Sequence, residues 1–253
     1  MNHSSHASAT SKLPALTIWF WIMKIAATTL GETAGDLLSM TLKVGYAAST
    51  VILMTAFAIT LAGQLAAKRY IPFLYWAVIL ATSTAGTTMS DFMNRTLGLG
   101  YETGSAILLT TLIAVLVIWK LTEKSLSVTN VRSFRAELFY WTAILVSNTL
   151  GTSLGDYLAD DSGLGFAGGA ALIGALIAII VLGYWFTKIS RVALFWAAFV
   201  LTRPFGATMG DVLTKSHDEG GLGFGTIGSS AVLAAILVAV ILYTMWKDRR
   251  SST

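Results

Sequence analysis

The chain has 253 residues, 55% of them hydrophobic and only 12% charged, against about 25% charged in an ordinary soluble domain, so an integral membrane protein is expected. It contains no cysteine, which excludes disulfides, thiolate metal sites and cysteine nucleophiles. The net charge of +4 is not a nucleic-acid signature, because the basic residues fall between the apolar runs, where membrane proteins keep cytoplasmic charge.

Residues 1–13, MNHSSHASATSKL, are polar and read as a short cytoplasmic tail. The apolar run behind them lacks the small-residue cleavage site of a signal peptide. Eight apolar runs follow, at about 15–39, 47–67, 71–94, 103–122, 137–159, 167–187, 192–214 and 225–246. About 20 apolar residues cross a core of about 30 Å, which predicts an all-α protein with eight transmembrane helices in one domain, 14–246.

The first run is interrupted by TLGETAGDLLSM, residues 29–40, which carries Glu32 and Asp36, and the pattern recurs. LGETAGDLL, AGTTMSDFM, LGTSLGDYL and FGATMGDVL align without gaps on Asp36, Asp91, Asp156 and Asp211. Five residues before each Asp stands Gly31, Gly86, Gly151 or Gly206; fifteen before it stands Trp21, Trp76, Trp141 or Trp196, itself preceded by Phe20, Tyr75, Tyr140 or Phe195. After the Asp comes a glycine-aromatic step ending at Tyr46, Tyr101 and Phe166, and at Phe224 in the fourth copy after a three-residue insertion. Three landmarks at fixed spacing, four times over, mark an internal repeat. The repeats run 14–68, 69–124, 134–188 and 189–246, with 125–133 a linker between halves and 247–253 a cytoplasmic tail.

Two helices per repeat return the chain to the same side. The four repeats therefore have parallel topology, with pseudo-rotational symmetry about the membrane normal. The linkers and termini carry Lys12, Lys68, Arg69, Lys120, Lys124, Arg132, Arg135, Lys188, Arg191, Lys247, Arg249 and Arg250, while the opposite loops carry only Lys43, Arg95 and Lys215. By the positive-inside rule both termini lie in the cytoplasm of a multi-pass bacterial inner-membrane protein. The aromatic-Trp pairs then read as an interfacial belt, which places each Asp about 22 Å further across the bilayer.

Ionisable groups at that depth are expensive unless they face a bundle interior, a partner or water. Asp36, Asp91, Asp156 and Asp211 occupy equivalent positions and are expected to meet near one axis. Glu32 lies one turn before Asp36 on the same face; Thr87, Thr152 and Ala207 are its equivalents. The next position holds Thr33, Thr88, Ser153 and Thr208, hydroxyls that with the acids make an oxygen-rich lining. Lys24 and Arg203 break the symmetry and read as charge-balancing or gating groups. Five acids against two bases leave an excess of negative charge that calls for bound cations or protons.

Plainer readings exist for each feature. The paired glycines are suited to close helix approach, and Met40, Met89, Met93 and Met209 to filling gaps. His3, His6 and His217 lie in a tail and a loop. Each Asp could cap a broken helix, and Asp91 could pair with Arg95, or Asp211 with Lys215, one turn away; Asp36 and Asp156 have no partner at that spacing.

On GETAGD, GTTMSD, GTSLGD and GATMGD, over about residues 15–246, the chain resembles a bacterial family of uncharacterised membrane-anchored proteins built from four copies of a repeat of unknown function. It departs from that pattern at Ser90 and in SHDEGG of the fourth repeat. The resemblance implies fold and topology and supplies no chemistry.

The expected function is transport of a hard, divalent cation, Mn²⁺ or Mg²⁺-like, because oxygen ligands prefer such ions. Asp36, Asp91, Asp156, Asp211 and Glu32 are the candidate metal ligands, with proton exchange as the coupling. The expected partners are the lipid bilayer, the cation and protons, with no nucleic acid and no cofactor beyond the ion. The oligomeric state is open, a homodimer being one option. The alternatives are a proton-coupled carrier of a small organic substrate, with Lys24 and Arg203 holding its anionic group, and a non-transporting structural or sensory protein. No enzyme is expected, since neither a Ser-His nor an HExxH arrangement occurs.

Overall fold

The computed structural model describes residues 12–128, 131 and 133–251. His3, His6, Arg132 and most of the N-terminal tail lie outside the described residues. Eight long helices follow one another: α1 (Ile18–Asp36), α2 (Tyr46–Ala66), α3 (Pro72–Asp91), α4 (Tyr101–Glu123), α5 (Phe134–Asp156), α6 (Gly165–Phe186), α7 (Arg191–Thr214) and α8 (Gly225–Ser251). No strand occurs among the described residues. Among the described residues five helices, α2, α4, α6, α7 and α8, are long and apolar enough to cross a membrane.

The helices form two shells. α1, α3, α5 and α7 pack side by side and close on themselves, α7 against α1. Each peripheral helix packs on the inner helix that follows it: α2 on α3, α4 on α5, α6 on α7, and α8 on α1, which joins the two ends of the chain. The peripheral helices turn Val51, Ile59, Ile113, Ile179 and Val232 outward and exposed, an apolar surface that suits lipid rather than water.

Glycine sets the spacing of the inner ring. A Cβ on Gly31 would overlap Ser83, on Gly86 Asn148, on Gly151 Arg203 and on Gly206 Thr28. One turn on, Gly35 faces Thr87, Gly155 Ala207 and Gly210 Glu32. Every inner helix thus offers a notched edge to the helix of the next repeat, which is the close approach that small-xxx-small pairs permit.

Each of the first three aspartates ends its α-helix, and the chain continues through one wide π turn. The amides of Leu42, Leu97 and Ser162 donate five residues back, to the carbonyls of Leu37, Phe92 and Tyr157, at 2.8, 2.9 and 2.9 Å. Residues with positive φ then reverse the chain: Lys43 and Gly45, Gly98 and Gly100, Gly163 and Gly165. The glycine-rich segments are therefore tight turns into the peripheral helices.

The fourth repeat differs. Lys215 donates back to Asp211 in ordinary α geometry at 2.9 Å, and a short 3₁₀ turn (His217–Glu219) with a Ser216–Glu219 capping box takes the place of the π turn. The Phe224 amide bonds the carbonyl of Leu213, two residues after the Asp, as the Val44 and Leu99 amides bond Leu38 and Met93. Phe224 follows Asp211 by thirteen residues where Val44 follows Asp36 by eight, so the insertion is five residues and not three. Thr226, not Phe224, stands at the position of Tyr46, Tyr101 and Phe166.

The aromatic pairs are not an interfacial belt. Phe20, Tyr75, Trp76, Tyr140, Trp141, Phe195 and Trp196 are buried, and Trp21 half-buried. Each Trp packs on the aromatic of the preceding repeat: Trp76 on Phe20, Trp141 on Tyr75, Trp196 on Tyr140 and Trp21 on Phe195, with ring centroids 5.7, 5.5, 6.4 and 5.8 Å apart. The Tyr75 and Tyr140 hydroxyls meet at 2.6 Å. The aromatic, sixteen residues before the Asp, ends a row of four-residue steps that winds slowly round the helix, and every residue of that row is buried. The tail and the interhalf linker join this end. Lys12 pairs with Glu137 at 2.8 Å and donates to the Leu65 carbonyl at 3.0 Å. Leu13, Val128 and Val131 are buried in the same core, and the Trp196 indole donates to the Leu126 carbonyl at 3.0 Å.

Candidate functional site

Residues four apart on a helix share a face. Read back from each Asp, the inner helices give four stripes: Phe20, Lys24, Thr28, Glu32, Asp36; Tyr75, Ile79, Ser83, Thr87, Asp91; Tyr140, Ile144, Asn148, Thr152, Asp156; Phe195, Phe199, Arg203, Ala207, Asp211. All twenty of these residues are buried. The interior of the ring is thus layered, aromatic at one end and carboxylate at the other.

The four aspartates sit 2–5% exposed. At Asp36, Asp91 and Asp156 no side-chain oxygen caps the turn that follows. Their partners are cations. Arg95 lies 3.1 Å from Asp91, 3.9 Å from Asp156 and 4.0 Å from Asp160. Lys215 lies 3.5 Å from Asp211 and 3.7 Å from Asp36. A base from the second repeat therefore bridges to the acid of the third, and a base from the fourth to the acid of the first. Asp36 and Asp156, which have no partner on their own helices, gain one from the preceding repeat. Burial opposes a charge on Lys215, but the carboxylates of Asp211 and Asp36 outweigh it and hold the ammonium above its ordinary range. On the adjoining turn, hydrogen bonds from Ser216 hold Glu219 below the usual carboxylate range.

One layer deeper, all four inner helices meet at Arg203. Its guanidinium donates to Glu32 Oε2 at 2.9 Å, to the hydroxyls of Thr87 and Thr152 at 2.6 Å each, and to the Ser83 carbonyl at 3.3 Å. Thr87 and Thr152 also donate to Glu32 Oε2, at 3.3 and 3.2 Å. Glu32 thereby belongs to two groups at once, since one oxygen each of Glu32, Asp36 and Asp211 lie within 4.8 Å of one another. Three oxygens bound to one ion at about 2.2 Å lie about 3.1–3.8 Å apart, so the group would have to close by on the order of 1 Å for the three carboxylates to share one cation.

Lys24 lies two layers below Glu32. Its nearest partners are Asn148 Oδ1 at 3.4 Å and the Phe199 ring at 4.1 Å; Asn148 in turn donates to Thr82 at 2.8 Å. Among the described residues no carboxylate pairs with it. Lys24 and Arg203, grouped together on sequence, are thus in different situations: Arg203 neutralises Glu32, and Lys24 neutralises nothing.

The hydroxyls three residues before each Asp are not in the carboxylate layer. Thr33 accepts from Ser230 of α8 at 2.8 Å, and Ser153 bonds Ser105 of α4 and Asn94 at 2.9 Å. Thr88 and Thr208 donate to carbonyls of their own helices, Ala85 for the former and Pro204 and Phe205 for the latter. A step of one residue turns the helix by about 100°, which moves these positions from the ring interior into the seam with the peripheral helices. The hydroxyls that do reach the acids, Thr87 and Thr152, are the sequence equivalents of Glu32. Their fourfold position was the available signal.

The length and apolar composition of the helices, wrapped around a buried polar interior, define an all-helical membrane protein. The chain belongs to the family described as Repeat of Unknown Function (DUF347), whose profile matches four times, over residues 19–70, 74–125, 139–190 and 194–250. The four copies read from the sequence are these four repeats. No curated protein and no solved structure matches the chain.

Proposed function

We propose that the protein is a proton-coupled transporter of a hard, divalent cation such as Mn²⁺, with eight transmembrane helices arranged as four parallel repeats about the membrane normal. The observation that carries this reading is the three-carboxylate group Glu32, Asp36 and Asp211, whose oxygens lie within 4.8 Å of one another. Oxygen donors of that number and charge suit a hard divalent ion. The charge balance supports proton coupling. Five buried acids face three contacting bases, Arg203, Arg95 and Lys215, and the remaining negative charge is matched by an ion in one state and by protons in another. In this reading the aromatic layers form the closed end of the pathway and the carboxylate layer the end where the ion enters. The charge asymmetry of the loops supports a reading with both termini in the cytoplasm of a bacterial inner membrane.

A carrier of an organic anion has less support, because Arg203 is already committed to Glu32 and two hydroxyls. Reconstitution tests the reading. Liposomes carrying the wild-type protein should take up or release Mn²⁺ with opposite movement of protons, and Asp36→Asn or Asp211→Asn should abolish both fluxes. Wild-type liposomes no more permeable than protein-free ones to any of Mn²⁺, Mg²⁺ and Ca²⁺ would end it. Uptake of an organic anion that Lys24→Ala abolishes while cation binding stays intact would favour the organic substrate instead.

A further inference from the structure

The two halves of the carboxylate layer are built alike but held differently. In one half Arg95 contacts three acids, Asp91, Asp156 and Asp160, and its guanidinium lies 5.6 Å from the centre of the Tyr101 ring. Its planar fork is matched to several acceptors at once. In the other half the base is a lysine, a single point charge on a flexible stem, 3.5 Å from Asp211 and 3.7 Å from Asp36 and with its side chain 20% exposed. Both distances exceed hydrogen-bond length, as do those from Arg95 to Asp156 and Asp160; the contrast lies in the 3.1 Å contact of Arg95 with Asp91, which has no counterpart at Lys215.

The chain around Lys215 is also special. It is here that the π turn of the other three repeats is missing and five extra residues enter. The insertion is folded back on Lys215: Gly223 donates to the Lys215 carbonyl at 2.8 Å and Gly221 to that of Ser216 at 2.8 Å. A Cβ on Gly221 would collide with the Lys215 backbone. The insertion fixes the backbone of Lys215 and leaves both ion pairs to its four-carbon stem, the flexible kind of side chain. The ammonium stands between two of the three carboxylates of the ion-binding group, a place it cannot share with a divalent ion.

We propose that Lys215 is a tethered counter-ion, occupying the Asp36–Asp211 half of the layer in this state and leaving it when the transported cation binds, while Arg95 keeps the Asp91–Asp156 half permanently closed. The proposal rests on the transport reading and adds to it that the ion is bound on one side of the ring only and exchanges with a charge the protein itself carries. Lys215 then sets specificity, since an ion must outcompete an ammonium for Asp36 and Asp211. A divalent ion does so and a monovalent one does not.

The chain has no cysteine, so Lys215→Cys gives a unique thiol. The full-length protein in detergent is titrated with MnCl₂, MgCl₂ and CaCl₂, and the unfolding midpoint reports binding. Lys215→Gln and Lys215→Cys should bind Mn²⁺ about tenfold tighter than wild type or more, a nearby like charge having been removed. Treating Lys215→Cys with 2-aminoethyl methanethiosulfonate, which restores an ammonium, should return the affinity to the wild-type level, whereas the neutral methyl reagent should not. Adding Asp36→Asn to Lys215→Gln should cancel the gain. Wild-type binding with equal or weaker binding in both variants would overturn the tethered counter-ion and leave the transport reading standing. Absence of any cation-induced shift in wild type and in both variants would overturn the two together.

Discussion

Arg203 Nη1 and Glu32 Oε2 meet at 2.9 Å with side chains 0% and 4% exposed, at the point where all four inner helices converge. An ion pair so placed gains little net stability over an apolar filling, yet removal of one partner leaves the other charge stranded. Arg203→Met and Glu32→Gln should each destabilise the protein by about 3–5 kcal/mol. The double variant should lose much less than the sum, because Thr87 and Thr152 can satisfy a neutral glutamine. Denaturant unfolding in detergent measures the cycle, and additive losses would show that the two groups do not act as a pair.

The same arginine makes a packing prediction. Its stem lies against Gly151, and Thr28 lies against Gly206 in the equivalent seam. Gly151→Ala and Gly206→Ala place a methyl where a side chain already stands, and overpacking of this kind costs about 1–3 kcal/mol. A methyl added at Gly228, in α8, would meet nothing within 4 Å. Gly228→Ala should therefore be neutral or stabilise by up to about 1 kcal/mol through helix propensity alone. A uniform response of the three variants in thermal unfolding would refute the notched-ring packing.

Some of this was readable from the chain, and the reasons differ by residue. The repeat and the convergence of the aspartates follow from spacing, which survives without knowledge of the neighbours. The alternation of inner and peripheral helices was half legible, in the polarity of the first helix of each repeat. That Arg95 and Lys215 reach the acids of the following repeat was not, because it depends on which inner helix lies beside which, and one-turn spacing reveals only Asp91 and Asp211. Trp76 and Trp141 misled for the opposite reason. A Trp at the start of an apolar run is an interfacial residue by habit, but here a stripe with a four-residue step carries its neighbour inward. Thr33 and Thr87 show the limit: a hydroxyl recurs in all four repeats at the first position and in only two at the second, yet it is the second that faces the acids.

Lys24 is a buried amine whose equivalents are Ile79, Ile144 and Phe199. With a carboxamide at 3.4 Å and an aromatic ring as its partners, it recovers little of its lost hydration. Lys24→Met should raise stability by on the order of 1–3 kcal/mol while reducing cation flux, the trade expected where a costly group serves function. A fall in the unfolding midpoint would mean that Lys24 holds the bundle together, and unchanged flux that it has no part in transport.

The turn after the first aspartate supplies the last test. Lys43 has φ of 56°, the left-handed region, where the second, third and fourth repeats place Gly98, Gly163 and Gly223 with φ of 72°, 78° and 69°. A Cβ in that conformation costs about 1–2 kcal/mol, and Lys43 is exposed, so its side chain recovers little through packing. Glycine removes the strain but brings back about 0.5–1 kcal/mol of unfolded-chain entropy. Lys43→Gly should therefore stabilise the protein by about 0.5–1 kcal/mol, and the mirror change Gly98→Lys should cost about as much as Lys43 now does. Both are read from the same denaturation curves. If Lys43→Gly is destabilising instead, the lysine has a partner in the membrane, and the phosphate of a lipid headgroup becomes the first candidate to examine, by repeating the measurement in zwitterionic and in anionic lipid.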